Sequence, residues 1–142
     1  MTYTSRCITM YLVILSIYAL DFEGGMKRGM QEKYERQMKK GVLDMLVMRL
    51  LLEEKKYGYQ LIAELKDRGG PLFGLKEGTL YPILYRLEDE GLIESRWVEG
   101  ENRQTPRKYY LMTDKGRTAL NEIYQVWRQI TDGVERLMGQ EE

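Results

Sequence analysis

The feature that most constrains this sequence is an apolar segment, residues 42–52, which contains neither glycine nor proline. Leucine, valine and methionine recur on nearly every side of the helix that this segment predicts. A helix that is apolar all round is buried, so we expect it at the centre of the domain, ending in the charged turn at residues 53–56. A length of 142 residues suits one compact domain and excludes a large multidomain enzyme.

Two further helices are predicted after this central segment. Apolar residues at helical spacing predict the second helix over residues 58–68, and a Gly-Gly-Pro sequence ends it. The third helix is predicted over residues 76–90, with one apolar face formed by Leu80, Ile83, Leu84 and Leu87. We expect Gly91 to act as its C-terminal cap, because glycine readily adopts the left-handed conformation that closes a helix.

Two short segments rich in aromatic and β-branched residues, 92–98 and 107–111, follow the third helix. The connection between them contains Gly100 and Asn102, so we predict a two-stranded hairpin with a long tip. Three helices followed by a hairpin is the order of a winged helix-turn-helix domain. We therefore predict a mainly α fold with a small β-hairpin, in which residues 38–112 form the winged helix.

The last predicted helix begins with Thr113 as its N-cap and continues to about residue 138. Apolar residues recur along it at alternating spacings of three and four, which is a heptad pattern. They are Leu120, Ile123, Trp127, Ile130, Val134 and Leu137. Packing on its own domain is one interpretation of this helix. Because we expect the first three helices to fill the core, we instead predict that residues 113–142 hold a homodimer together.

The residue types in the chain exclude most enzyme chemistry. The chain has no histidine, and its single cysteine is Cys7, so Cys/His zinc sites, histidine-dependent nucleophilic sites and disulfide scaffolds are excluded. No convincing acid–base pair or phosphate-cradling loop is present. We predict no enzyme activity, no catalytic residue, no metal site and no cofactor.

The charge balance requires any nucleic-acid surface to be local, because 22 basic and 22 acidic side chains cancel. The polar side of the third helix is one candidate surface, made of Lys76, Gly78, Thr79, Tyr81, Pro82 and Tyr85. Gly78 lets the backbone approach a phosphate, and Pro82 loosens the first turn by removing a hydrogen bond. We expect Thr79 and Tyr81 to face the major groove of DNA. A merely solvated helix face is the alternative.

The hairpin is the second candidate surface. Arg103, Arg107 and Lys108 lie close together there with no acidic residue among them, and Tyr109 follows directly. We predict that these side chains form a phosphate-binding edge of the wing.

Six short motifs occur along the chain in a fixed order. They are Tyr57-Gly58-Tyr59, residues 75–82, Arg86-Leu87-Glu88, Gly91-Leu92-Ile93, residues 107–111, and Thr113 with Gly116. Together they resemble the PadR family of bacterial transcription regulators over about residues 38–138. The resemblance implies a winged helix with a C-terminal dimerisation helix, repression at a palindromic operator, and often relief by a small molecule. It also implies that Tyr57, Tyr59, the third helix and the wing contact DNA.

The single C-terminal helix resembles the short-tailed subgroup of that family. In some short-tailed relatives a tryptophan on this helix stacks flat aromatic compounds, and Trp127 is similar in position. The resemblance therefore suggests a small aromatic effector at Tyr124 and Trp127. Packing within the dimer is the alternative role for Trp127.

Residues 1–37 form a leader, of which residues 1–25 depart from the family pattern. Its apolar segment, residues 8–20, is too short to cross a bilayer, which needs about 20 apolar residues. Three interpretations stay open for residues 1–25: translation that truly starts at Met26 or Met30, an ordered extra element, or an export signal.

The leading hypothesis from the sequence is a DNA-binding regulator in the cytoplasm. Its expected partners are double-stranded DNA and a second copy of itself, and no membrane contact is expected. A winged-helix module that binds proteins and not DNA is the alternative, since a fold does not determine a function.

Overall fold

The computed structural model describes residues 27–102 and 105–139, so the interpretations of residues 1–25 concern residues outside this range. Its helices are α1 (Lys27–Glu53), α2 (Gly58–Gly69), α3 (Glu77–Asp89) and α4 (Asp114–Met138), and its strands are β1 (Lys56–Tyr57), β2 (Ile93–Val98) and β3 (Arg107–Met112). A short 3-10 helix, Pro71–Phe73, precedes α3. In the described part of the chain, no helix is both long and apolar enough to cross a membrane.

The described residues divide into two compact units. The larger unit comprises residues 40–102 and 105–129 and contains the whole buried core. The smaller unit comprises residues 27–39 and 130–139, which belong to the first part of α1 and the last part of α4. Large apolar side chains are exposed in the smaller unit: Met30, Tyr34, Met38, Ile130, Val134, Leu137 and Met138.

The central helix is longer than predicted. Helix α1 begins at Lys27, before the apolar segment, and continues through the predicted boundary between residues 37 and 38. The polar residues there are mostly lysine, arginine, glutamine and glutamate, which favour helix without any burial. The apolar part of α1 is buried as expected, with Val47 and Met48 fully enclosed by the other helices and the sheet.

The predicted hairpin is confirmed, and a third strand joins it. Strand β3 lies between β2 and β1, and both neighbours are antiparallel to it. Strand β1 pairs Lys56 with Tyr110 and Tyr57 with Tyr109. Two residues are too few to show an alternating pattern, so sequence periodicity did not reveal β1.

Both predicted helix caps are confirmed. Gly91 has a φ of 74° after α3, and the amide of Leu92 donates to the Leu87 carbonyl, as in a Schellman motif. At the start of α4, the amide of Gly116 donates to Thr113 Oγ1 at 3.0 Å. The Thr113 hydroxyl itself lies within hydrogen-bond distance of the Gly91 and Leu92 carbonyls, at 2.7 and 3.0 Å. The two caps therefore join the end of α3 to the start of α4.

The heptad pattern of α4 does not form a single exposed seam, and this corrects the sequence interpretation. Leu120 is only 7% exposed and belongs to the core of its own chain, and Ile123 and Trp127 are half-buried against that core. Ile130, Val134 and Leu137 are exposed. The first three helices leave an apolar surface that the start of α4 covers, so the expectation that they fill the core alone was wrong.

A cluster of charges ties the end of α1 to β1 and α2. Lys56 is 2% exposed, and its Nζ lies 2.9 Å from a Glu64 carboxylate oxygen and 3.4 Å from one of Glu54. Burial alone would lower the pKa of Lys56, but these two carboxylates outweigh it and raise the pKa. Arg68 donates two hydrogen bonds of 2.8 Å to Glu53. The Arg68 hydrogen bonds, with the nearby charges of Arg68, Lys56 and Arg49, lower the Glu53 pKa to about 2.

The Glu53 carboxylate predicts a loss of stability in acid. Its pKa is depressed in the folded chain from an ordinary 4.5, so its contribution is present above pH 4.5 and is lost as the pH falls towards 2. We expect Arg68→Gln to lower the free energy of unfolding at pH 7 by a small amount, but by more than an ordinary exposed pair, because Arg68 donates two hydrogen bonds to Glu53. Chemical denaturation from pH 7 to pH 3 should show this difference shrinking.

Arg96→Gln is the control, because Arg96 pairs with Glu94 on an exposed strand surface. It should change stability little at any pH. A difference between Arg68→Gln and the wild type that stays constant down to pH 3 would contradict the assignment.

Candidate nucleic-acid interface

Helix α3 presents an exposed side that contains most of the predicted DNA-facing residues. Lys76 is the N-cap, and Lys76, Gly78, Thr79, Pro82 and Tyr85 are all exposed. Their opposite neighbours Leu80, Ile83, Leu84 and Leu87 are buried and hold the helix on the core. The helix stays continuous across Pro82. The exposed side can therefore approach a nucleic acid without disturbing the core.

Tyr81 does not share this exposed side. Its ring is half-buried, and its hydroxyl lies over the backbone of Gly58, where an added Cβ would be only 2.7 Å from the hydroxyl oxygen. Tyr81 therefore packs α3 against the start of α2, and its role in the major groove stays a prediction. Gly58 is required at this contact because any larger residue would displace the ring.

Aromatic and basic side chains alternate on the outer face of the sheet. The rings of Tyr57 and Tyr109, which are paired across β1 and β3, meet edge to face at 5.5 Å. The Arg107 guanidinium lies 4.7 Å from the centre of the Tyr57 ring, and the Lys55 ammonium lies 5.4 Å from that of Tyr109. Such contacts hold a cation in place without neutralising its charge.

Lys108 lies on the other face of the sheet. Neighbouring residues in a strand point to opposite faces, so Lys108 is separated from Arg107 and points towards α3. Its Nζ is 5.8 Å from the centre of the Tyr85 ring and 5.6 Å from that of Tyr110. The two cations therefore flank the sheet from both sides, and the phosphate-binding role of the wing stays a prediction.

These cations are available to bind an anion. Within the part of the chain that the structure describes, Lys55, Lys76, Arg107 and Lys108 form no salt bridge. Arg86, which follows Tyr85 on α3, is in contrast paired with Asp44 of α1. Burial raises the Asp44 pKa, and the neighbouring Arg86 opposes that effect. Lys55, Arg107 and Lys108 each lie over a tyrosine ring instead.

The wing is anchored to α3 below these side chains. The Ser95 hydroxyl of β2 donates a 2.6 Å hydrogen bond to Glu88 of α3. Tyr110 of β3 is 1% exposed, and its hydroxyl has no hydrogen-bond partner among the described residues. Burial, with smaller contributions from Tyr85, Tyr81 and Glu88, raises the Tyr110 pKa to about 12, so this phenol stays neutral at physiological pH. The hydrogen bond between Ser95 and Glu88 therefore holds the wing against α3, with Lys108 of the wing beside Tyr85 of the helix.

Comparison with known proteins identifies the family. The sequence profile of the transcriptional regulator PadR-like family matches residues 47–122, which include α2, α3, the whole sheet and the start of α4. The chain belongs to the PadR-like family. It is a DNA-binding transcriptional regulator of that family.

Solved and curated PadR-like proteins agree with this assignment. A PadR family transcriptional regulator from Eggerthella lenta has a TM-score of 0.71 and 36% identity, over 82% of this chain and 98% of that one. A transcriptional regulator of Mycobacterium tuberculosis is 33% identical over 61% of this chain and 77% of its own length. The negative transcriptional regulator PadR of Bacillus subtilis is 30% identical over 57% of this chain and 44% of its own length.

Two residues of this surface differ from the sequence prediction. Arg103 lies outside the described residues. Lys55 was not predicted, although its position next to the Tyr57-Gly58-Tyr59 motif was a usable signal. Tyr59 is 68% exposed at the start of α2, as a contact residue requires. In the described part of the chain, no three potential metal ligands come together.

Proposed function

We propose that this protein is a repressor that binds a palindromic DNA operator as a homodimer. The observation that carries the proposal is that α3 presents an exposed polar side, and that Lys108, which forms no salt bridge with the described residues, lies beside the exposed Tyr85 of that helix. Helix α3 enters the major groove, with Gly78, Thr79, Pro82 and Tyr85 towards the bases. The Bacillus subtilis relative, a negative transcriptional regulator by name, supports repression.

The contacts within the larger unit explain how one surface reaches both the groove and its flanking phosphates. Arg107 and Lys55 are held on the Tyr57 and Tyr109 rings on one side of the sheet, and Lys108 lies beside Tyr85 of α3 on the other. With α3 in the groove, these cations meet the phosphates on either side of it. Phosphate contacts set the position of the protein and bind any DNA sequence.

A homodimer is supported by the exposed apolar side chains of the smaller unit. Ile130, Val134 and Leu137 lie at heptad spacing on α4, and Met30, Tyr34 and Met38 are exposed on α1. Burial of such side chains between subunits supplies the main favourable term in association. A palindrome reader needs two such helices about 34 Å apart, one for each half-site, and a two-fold dimer supplies two copies of α3.

Replacing Lys108 by alanine tests the DNA surface. We expect weaker binding to operator and random DNA alike, with the slope of log affinity against log salt reduced by about one, since one phosphate contact is lost. Fluorescence anisotropy with labelled duplex over a range of salt concentrations measures both quantities. Lys66→Ala is the matched control, because Lys66 is exposed in the last turn of α2, away from Tyr57 and Tyr59. Wild-type affinity of Lys108→Ala at every salt concentration would remove the wing from the interface.

The expected small aromatic effector stays a prediction. Tyr124 and Trp127 are both half-buried against the core of their own chain, so an effector there would contact only the remaining exposed parts of the two rings.

A further inference from the structure

Trp97 is a large apolar side chain that the fold leaves 70% exposed at the end of β2. Side chains along β2 point alternately to the two faces of the sheet, so Ile93, Ser95 and Trp97 share the face that packs towards α3. Ile93 is buried and Ser95 is half-buried on Glu88, but the hairpin then extends beyond the core. Trp97 therefore projects past the core on its α3 side.

The residue beside Trp97 is a cation, Lys108, which adjoins the exposed side of α3. Trp97 is paired directly with Lys108 across β2 and β3, so the two side chains lie side by side. Lys108 in turn lies 5.8 Å from the Tyr85 ring, which is itself exposed on α3. Trp97, Lys108 and Tyr85 thus follow one another from the wing to α3.

We propose that Trp97 binds DNA, with its indole ring packed on the sugar–phosphate backbone beside the groove that α3 enters. This inference rests on the proposed DNA-binding function. The positive charge of Lys108 attracts the backbone to this position, the deoxyribose edge offers apolar atoms to the ring, and the indole N–H can donate to a phosphate oxygen. The contact reads no base, so it strengthens binding to all sequences.

The chain has two tryptophans, so the variant Trp127→Phe makes Trp97 the only indole and keeps an apolar ring at residue 127. Acrylamide quenching of Trp97 fluorescence is measured without and with a random-sequence DNA duplex at low salt. We expect strong quenching of the free protein and protection when DNA is bound. We also expect Trp97→Ala to bind the duplex about fivefold to tenfold more weakly, and Trp97→Phe to keep most of the affinity.

Circular dichroism of each variant checks that the fold is retained, as expected for so exposed a side chain. DNA binding with unchanged quenching and unchanged Trp97→Ala affinity would overturn the role of Trp97 and leave the proposed function intact. No binding of any DNA by the wild-type chain would overturn the proposed function, and this inference with it.

Discussion

The double variant Ile130→Asp/Val134→Asp is expected to sediment as a monomer at concentrations where the dimer proposed for the wild type forms. Both side chains are exposed within a single chain, so the substitutions leave the core intact. In a dimer they would bury charges without partners, which an apolar interface does not tolerate. A monomer contacts only one half-site of a palindromic operator. Its affinity for the operator should be lower by about a hundredfold or more, because the second half-site no longer adds to the binding.

Analytical ultracentrifugation and operator titration measure these two effects. Ile123 is unsuitable for the test despite its place in the heptad pattern, because it packs on the core of its own chain. Gln125→Asp is the control, since Gln125 is an exposed polar residue on α4 outside the apolar pattern. A dimer that survives the double substitution would place the interface elsewhere.

The variant Gly116→Ala is expected to lose about 3 kcal/mol of stability or more, at the upper end of what overpacking costs. A Cβ at this position would lie 2.0 Å from the Leu92 carbonyl oxygen and 2.9 Å from its carbon, and backbone atoms cannot move aside cheaply. Separation of α4 from this turn would also stretch the hydrogen bonds from Thr113 to the Gly91 and Leu92 carbonyls. Thermal and urea denaturation should both report the loss.

Gly41→Ala is the matched control for this substitution. Gly41 lies on the exposed side of α1, and an added Cβ meets nothing within 4 Å. Alanine there should stabilise the chain by about 0.5–1 kcal/mol, because glycine is the weaker helix former. A Gly116→Ala protein with the melting temperature of the wild type would show that α4 does not pack on the turn at Leu92.

Local sequence chemistry predicted the elements that depend only on near neighbours. The caps at Gly91 and Thr113 follow from the backbone preferences of glycine and from a threonine oxygen that accepts a nearby amide. The apolar face of α3 follows from helical spacing. Strand alternation also implied that Arg107 and Lys108 lie on opposite faces of the sheet. Counting the basic residues of the wing together left this difference out.

What the sequence by itself determined is therefore the order of the four helices and the hairpin, the exposed side of α3 and the basic residues of the wing. Only the tertiary structure decided which partner each apolar side chain meets. Leu120 and Ile130 occupy similar heptad positions, yet one is buried in its own core and the other is exposed. Likewise, only the tertiary structure brought the Tyr81 hydroxyl over the backbone of Gly58. Helical periodicity specifies the side of a helix, whereas burial depends on segments distant in sequence that pack against it.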